Sequence, residues 1–220
     1  MSRKPRVLSR HTMPKHVRAL AKQCDYMAKA FETGGMPPAR NREGGFRTLL
    51  RIIVDQQISV HAGAAIWAKL EDRLGEISAK RVMAVREPTL RKCGLSGQKI
   101  RYARELAGAI KSGSLDLGGL AALDDDAAAA QLTAIKGIGR WTAEIYLMFA
   151  MGRPDIMPAG DLALQVAAQN LIGLKERPTD KELRVIAERW QPYRTAAAIM
   201  LWQFYRKMPL MEAPAGKAGK

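Results

Sequence analysis

The sequence predicts a mainly α-helical protein, and three observations carry that prediction. Apolar residues recur at spacings of three and four almost throughout, Ala is abundant, and no segment alternates like a strand for long. Gly and Pro clusters then cut the chain at 34–38, 87–88, 94–97, 113–119, 137–139, 154–160 and 177–178. Pieces of the usual length, about a dozen residues, imply roughly eight to ten helices. With 220 residues, 47% of them hydrophobic, the chain can bury a core either as one large domain or as two helical lobes sharing a cleft.

Thirty-six Lys and Arg stand against 21 Asp and Glu, a formal charge of +15 that attracts a polyanion and makes nucleic acid the leading partner. Charge alone is shared with membrane-surface and ribosomal proteins, so it narrows the partner without naming an activity. No stretch reaches the roughly 18 uninterrupted apolar residues of a membrane-spanning helix, and the N-terminus MSRKPRVLSRHTMPK lacks the apolar segment of a signal peptide. A cytoplasmic protein without a membrane partner is expected. Cys24 and Cys93 are the only cysteines, too few for a disulfide framework or for a four-thiolate zinc or iron–sulfur site, and both read as reduced and structural.

Along the chain, residues 1–15 read as a flexible basic arm, 212–220 as a flexible tail, and 16–211 as the folded unit, with no visible boundary between lobes. FRTLLRIIVDQQISV (46–60) ends an apolar helix with Gln56-Gln57-Ile58-Ser59. Asp55 there either faces the partner or pairs with Arg51 one turn back. GLSGQKIRYARELA (94–107) offers Lys99 and Arg101. In LTAIKGIGRWTAEIYLMFAM (132–151), Gly137-Ile138-Gly139 uncovers backbone N–H groups at the start of an amphipathic helix, a place suited to a phosphate. Ile138 is expected to plug the core beneath that turn, with Lys136 and Arg140 flanking it.

A Pro- and Gly-rich loop then delivers Asp161, 22 residues beyond Gly139, to the next helix start. Asp is a preferred N-cap, and that position also keeps a carboxylate ionised. Asp155, before the Pro158 turn, reads as loop solvation.

The hairpin with its Thr142-Ala143 pair, followed by Pro158-Ala159-Gly160-Asp161, resembles the helix-hairpin-helix DNA glycosylase superfamily. The likeness runs over about residues 43–206. It implies an all-α, two-lobed fold with a DNA-binding cleft between the lobes, and double-stranded DNA containing damaged bases as the partner of a monomer. It also implies Asp161 as the catalytic carboxylate, countering the positive charge of an oxocarbenium-like sugar.

Members that also cut the strand carry a Lys two residues after the second glycine. Here Trp141 stands there, which implies a monofunctional enzyme using water. Trp141, Trp202 and the preceding Pro192-Tyr193-Arg194 resemble the bacterial 3-methyladenine glycosylase II group, in a compact form lacking its additional N-terminal β-rich domain. That likeness implies excision of alkylated purines and a base pocket of Trp141, Trp202, Ile145 and Leu162, the last two replacing tyrosines of that group.

The same resemblance makes Gln57 the wedge that fills the gap left by an extruded base. It assigns DNA-backbone contacts to Gln56, Ser59, Lys99, Lys136, Gly137, Ile138, Gly139, Arg140 and Thr142. It allows a sodium or potassium ion on the main-chain carbonyls of Thr133, Ile135 and Ile138, and implies that no cofactor is required. Two alternatives stay open at this point: a glycosylase for uracil or hypoxanthine, and a non-catalytic hairpin protein that only docks DNA.

Overall fold

The computed structural model describes residues 8–38 and 42–208, and among these every regular element is helical. In order they are α1 (Met13–Gln23), α2 (Asp25–Gly34), α3 (Phe46–Asp55), α4 (Val60–Leu74), α5 (Ala79–Ala84), α6 (Glu87–Lys92), α7 (Gly97–Ser112), a 3₁₀ turn (Gly119–Ala122), α8 (Asp125–Thr133), α9 (Arg140–Phe149), α10 (Leu162–Ile172), α11 (Asp180–Ala187), a second 3₁₀ turn (Glu188–Trp190) and α12 (Arg194–Lys207).

The all-α expectation holds, with more and shorter helices than the Gly and Pro breaks implied. Side-chain caps do much of the cutting. Ser59, Ser78, Ser96 and Asp124 each accept an N–H from three residues ahead, at the starts of α4, α5, α7 and α8. At α11, Thr179 and Glu182 form a reciprocal capping box. Pro88, read as a break, instead sits in the first turn of α6, where a missing N–H costs nothing. The basic arm is also shorter than expected. α1 starts at Met13, and Leu8 is buried with its N–H donating to the Gly152 carbonyl at 2.6 Å. The rest of the arm and the tail lie outside the described residues.

Helix packing resolves the lobe boundary that the sequence hides. α3 to α9 pack among themselves around α3, whose Leu49, Leu50, Ile52, Ile53 and Val54 are buried on nearly every side. α1 and α2 pack instead with α10 and α12, so the second lobe is built from both ends of the described chain. One strong tie joins the two groups. Glu144 of α9 is buried, and it accepts from Arg140 Nε at 2.8 Å and from Arg184 Nη1 of α11 at 2.7 Å. A buried carboxylate needs such pairing, because an unpaired charge in a core costs several kcal/mol.

Candidate active site

The turn between α8 and α9 is shaped by its glycines. Gly137 has φ +97°, and a Cβ there would lie 2.2 Å from the Tyr102 ring, so only glycine fits against that ring. Ile138 is buried below, as expected. Gly139 caps α9 without a side chain over the first amides, which leaves N–H groups and the positive dipole end open. These residues form one wall of a cleft of about 1110 Å³. Its other walls are the turn at Gln56, Gln57 and Ile58, the start of α7, and Gly160 to Leu162.

Asp161 stands where the lobes meet. Its Oδ1 accepts the backbone N–H of Leu164 at 3.1 Å, the N-cap bond that starts α10, and the indole N–H of Trp202 at 3.0 Å. Its Oδ2 accepts the indole N–H of Trp141, also at 3.0 Å. Trp141 belongs to α9 and Trp202 to α12, so helices of both lobes aim a donor at one carboxylate. Every partner named is a donor, an arrangement that suits an acceptor-only carboxylate.

Behind the tryptophans lies a smaller and mostly apolar pocket of about 460 Å³. Trp141, Ile145 and Phe149 line it as a stripe down α9, and Trp202 stacks on Phe149 with ring centroids 5.8 Å apart. Trp141, Ile145 and Trp202 are the pocket residues expected from the sequence, and Phe149 joins them. The spacing of four along α9 would have found it. Leu162, placed in the base pocket by resemblance, is elsewhere: it is 57% exposed on the wall of the larger cleft.

Gln57 is exposed at the tip of the turn joining α3 to α4, with φ +55°, and among the described residues no other non-glycine has a positive φ. Strain of this kind is kept where surrounding structure holds a side chain in a set direction. Gln56 turns the other way. Its amide donates to the Gly137 carbonyl at 3.1 Å and to Thr142 Oγ1 at 2.8 Å, so Gln56 and the buried Thr142 lock this turn to the hairpin.

Other residues expected at the DNA backbone also hold partners within the protein. Lys99 donates to the Val54 carbonyl at 2.6 Å and caps α3; burial pulls its ammonium below the ordinary lysine range, against the opposing field of Asp55. Arg140 is occupied by Glu144 and Asp126, and the Ser59 hydroxyl accepts the Ala62 N–H. Lys136 and Gly139 remain exposed on the cleft side. Asp155 is not loop solvation: it accepts from Arg194 Nε at 2.9 Å and from the Arg194 backbone N–H at 3.1 Å, anchoring the start of α12. Thr133, Ile135 and Ile138 all line the cleft, and the Ile135 carbonyl accepts the Ile138 N–H at 3.0 Å while keeping a second lone pair.

The arrangement joins open helix-terminal amides, an exposed projecting side chain and a held carboxylate between a wide cleft and an aromatic pocket. Such a site can grip a polyanion, receive one planar group from it, and stabilise positive charge between the two.

Comparison with known proteins agrees. Residues 50–192 match the family model described as HhH-GPD superfamily base excision DNA repair protein. The chain is 32% identical over 176 residues to DNA-3-methyladenine glycosylase 1 of Schizosaccharomyces pombe, covering 77% of each. The solved structure of 3-methyladenine DNA glycosylase from that yeast in complex with abasic DNA superposes with a TM-score of 0.78 at 30% identity, over 86% of this chain and 95% of that one. A DNA-3-methyladenine glycosidase structure from Bacillus halodurans gives 0.77 at 33% identity, over 91% and 92%.

Proposed function

The chain belongs to the HhH-GPD superfamily of base excision DNA repair proteins, and from that membership we propose that it is a monofunctional DNA glycosylase releasing alkylated purines of the 3-methyladenine and 7-methylguanine type. The observation that carries this reading is the carboxylate of Asp161, fixed by two indole N–H groups and a helix-starting amide at the junction of cleft and aromatic pocket.

In the reaction the hairpin amides and Lys136 hold the DNA backbone, the damaged nucleotide turns out of the stack, and Gln57 fills its place. The base enters between Trp141, Ile145 and Trp202. An alkylated purine already carries positive charge, so the bond from C1′ to the ring nitrogen breaks with its electron pair going to the base, which leaves neutral. Positive charge passes to the sugar, where Asp161 offsets it. Water adds to C1′ and passes its proton by way of the Asp161 carboxylate to solvent, leaving an abasic site. Trp141, at the position where a Schiff-base lysine would stand, has no amine to attack the sugar. No cofactor takes part. A monovalent cation on the carbonyls of Thr133, Ile135 and Ile138 would add positive charge behind the phosphate. The protein acts as a monomer on chromosomal DNA in the cytoplasm.

The test uses duplexes carrying single 7-methylguanine or 3-methyladenine lesions. The expected result is release of the free base and breaks that appear only after alkali. DNA binding without base release, or a covalent adduct trapped by borohydride, would overturn the proposal.

A further inference from the structure

Asp55 is the one acidic side chain among the described residues that line the aromatic pocket; the other charged residues there, Arg42 and Arg206, are basic. It is held in place with care. Arg51, one turn earlier on α3, donates to Oδ2 at 2.9 Å, and the Arg51 guanidinium lies 5.2 Å from the centre of the Trp67 ring. The other oxygen, Oδ1, is buried and has no hydrogen-bond partner. Space for it exists only because residue 63 is glycine: a Cβ at Gly63 would stand 2.2 Å from Oδ1.

A buried acceptor left unpaired is unfavourable, and its persistence calls for an explanation. The Arg51 pair and the nearby Lys99 account for a charge at this site but leave Oδ1 without a partner. An apolar residue of like size would cover Gly63 without leaving an orphan oxygen.

We propose that Asp55 determines base specificity, its carboxylate accepting an N–H from the edge of the extruded purine and its charge favouring a cationic base in a pocket whose rim is otherwise basic. Arg51 occupies one oxygen and so leaves Oδ1 for the ligand. Presenting it takes a turn about the terminal side-chain bond, a broad and soft torsion for aspartate; the turn moves both oxygens, so the flexible Arg51 side chain shifts with Oδ2 to keep its bond. A purine bearing an amino group supplies the donor that the protein withholds, and ring alkylation supplies the positive charge. The inference rests on the glycosylase reading and adds to it the feature of the base that is recognised.

The experiment compares the unsubstituted full chain with Asp55→Asn, Gly63→Ala and Arg51→Gln. Two quantities are read: single-turnover release of 7-methylguanine, and affinity for a duplex holding a tetrahydrofuran abasic analogue, which has no base. Asn can still accept from Arg51, so Asp55→Asn removes charge with little change of shape. Release is expected to fall by about tenfold or more, the order of one charge-assisted hydrogen bond, while abasic-analogue affinity stays within about twofold. Gly63→Ala, which displaces the carboxylate, should give the same pattern. Arg51→Gln, which keeps the carboxylate but loosens its anchor, should lower release less than Asp55→Asn does.

Unchanged release by Asp55→Asn, or equal losses in release and analogue binding, would overturn the inference alone. No release by the unsubstituted chain would overturn the glycosylase reading, and this inference with it.

Discussion

Replacing Asp161 by Asn separates the catalytic and structural roles of that residue in a way the geometry makes quantitative. Oδ1 accepts both the Leu164 N–H and the Trp202 indole, whereas Oδ2 accepts the Trp141 indole alone. An Asn with its oxygen at the Oδ1 position keeps the first two bonds, and Asn is as good an N-cap as Asp. Its NH₂ then meets the Trp141 N–H, donor against donor. One hydrogen bond is lost at a half-buried site, which costs about 1–2 kcal/mol and lowers Tm by roughly 2–8 °C for a chain of this size. Loss of the charge facing the sugar cation is a separate and larger effect. Removing one preorganised stabilising group in an enzyme typically lowers the rate by about 10²–10³, or roughly 2.7–4 kcal/mol. Single-turnover release of 7-methylguanine at 25 °C, with enzyme in excess and the fold checked by circular dichroism, measures the second effect without the first. A rate within tenfold of the unsubstituted chain would refute the role assigned to this carboxylate.

Trp202→Phe keeps a ring to stack on Phe149 but removes an indole donor to Asp161. Single-turnover release should fall about fivefold to tenfold, in line with about 1 kcal/mol for one hydrogen bond, while the dissociation constant for lesion DNA changes less than threefold. Gln57→Gly relieves the positive φ, so stability by urea denaturation should hold or rise by up to about 1 kcal/mol. Base release should nonetheless drop about tenfold, for want of a side chain to occupy the gap in the stack. Tyr146 is buried, and desolvation raises its phenol above the ordinary tyrosine range despite the N–H donated by Gly45. For an acid whose folded pKa is raised, stability is fully present below the unfolded value, near 10, and is lost as pH rises through the folded one. Tyr146→Phe should therefore lose about 1 kcal/mol at pH 7, and its stability should fall less steeply than that of the unsubstituted chain above pH ~10, as read by denaturant midpoints.

Much of the fold and the centre of the site were legible in the sequence. Gly137-Ile138-Gly139 and Asp161 could be read because backbone geometry demands those residue types. A Cβ at Gly137 has no room, Ile138 must fill the space below, and a carboxylate before Leu162 starts a helix. Charged and polar residues near the cleft were harder. Lys99, Arg140, Gln56 and Ser59 have the chemistry for phosphate, yet the same chemistry satisfies helix ends and buried partners. Which use prevails depends on neighbours distant in the chain, such as Gly137 for Gln56, 81 residues away. The lobe boundary was hidden for a related reason: α1 and α2 pack with α12, an association between the two ends of the described chain that no local pattern records.

The same topology explains why the candidate catalytic carboxylate is where it is. Trp141 comes from the lobe of α3 to α9, while Asp161 and Trp202 belong to elements of the other lobe. The bond from Trp141 to Oδ2 therefore forms only when the lobes are docked, and the Glu144–Arg184 pair fixes that docking three residues further along α9. An orienting contact that spans the cleft makes the geometry of the carboxylate depend on the whole assembly rather than on the loop that carries it. Arg184 thus acts on Asp161 at a distance, by holding α9, and with it Trp141, against α11. Loss of that side chain would leave Glu144 with Arg140 as its remaining charged partner and loosen the register of Trp141, even though Arg184 touches neither the carboxylate nor the aromatic pocket.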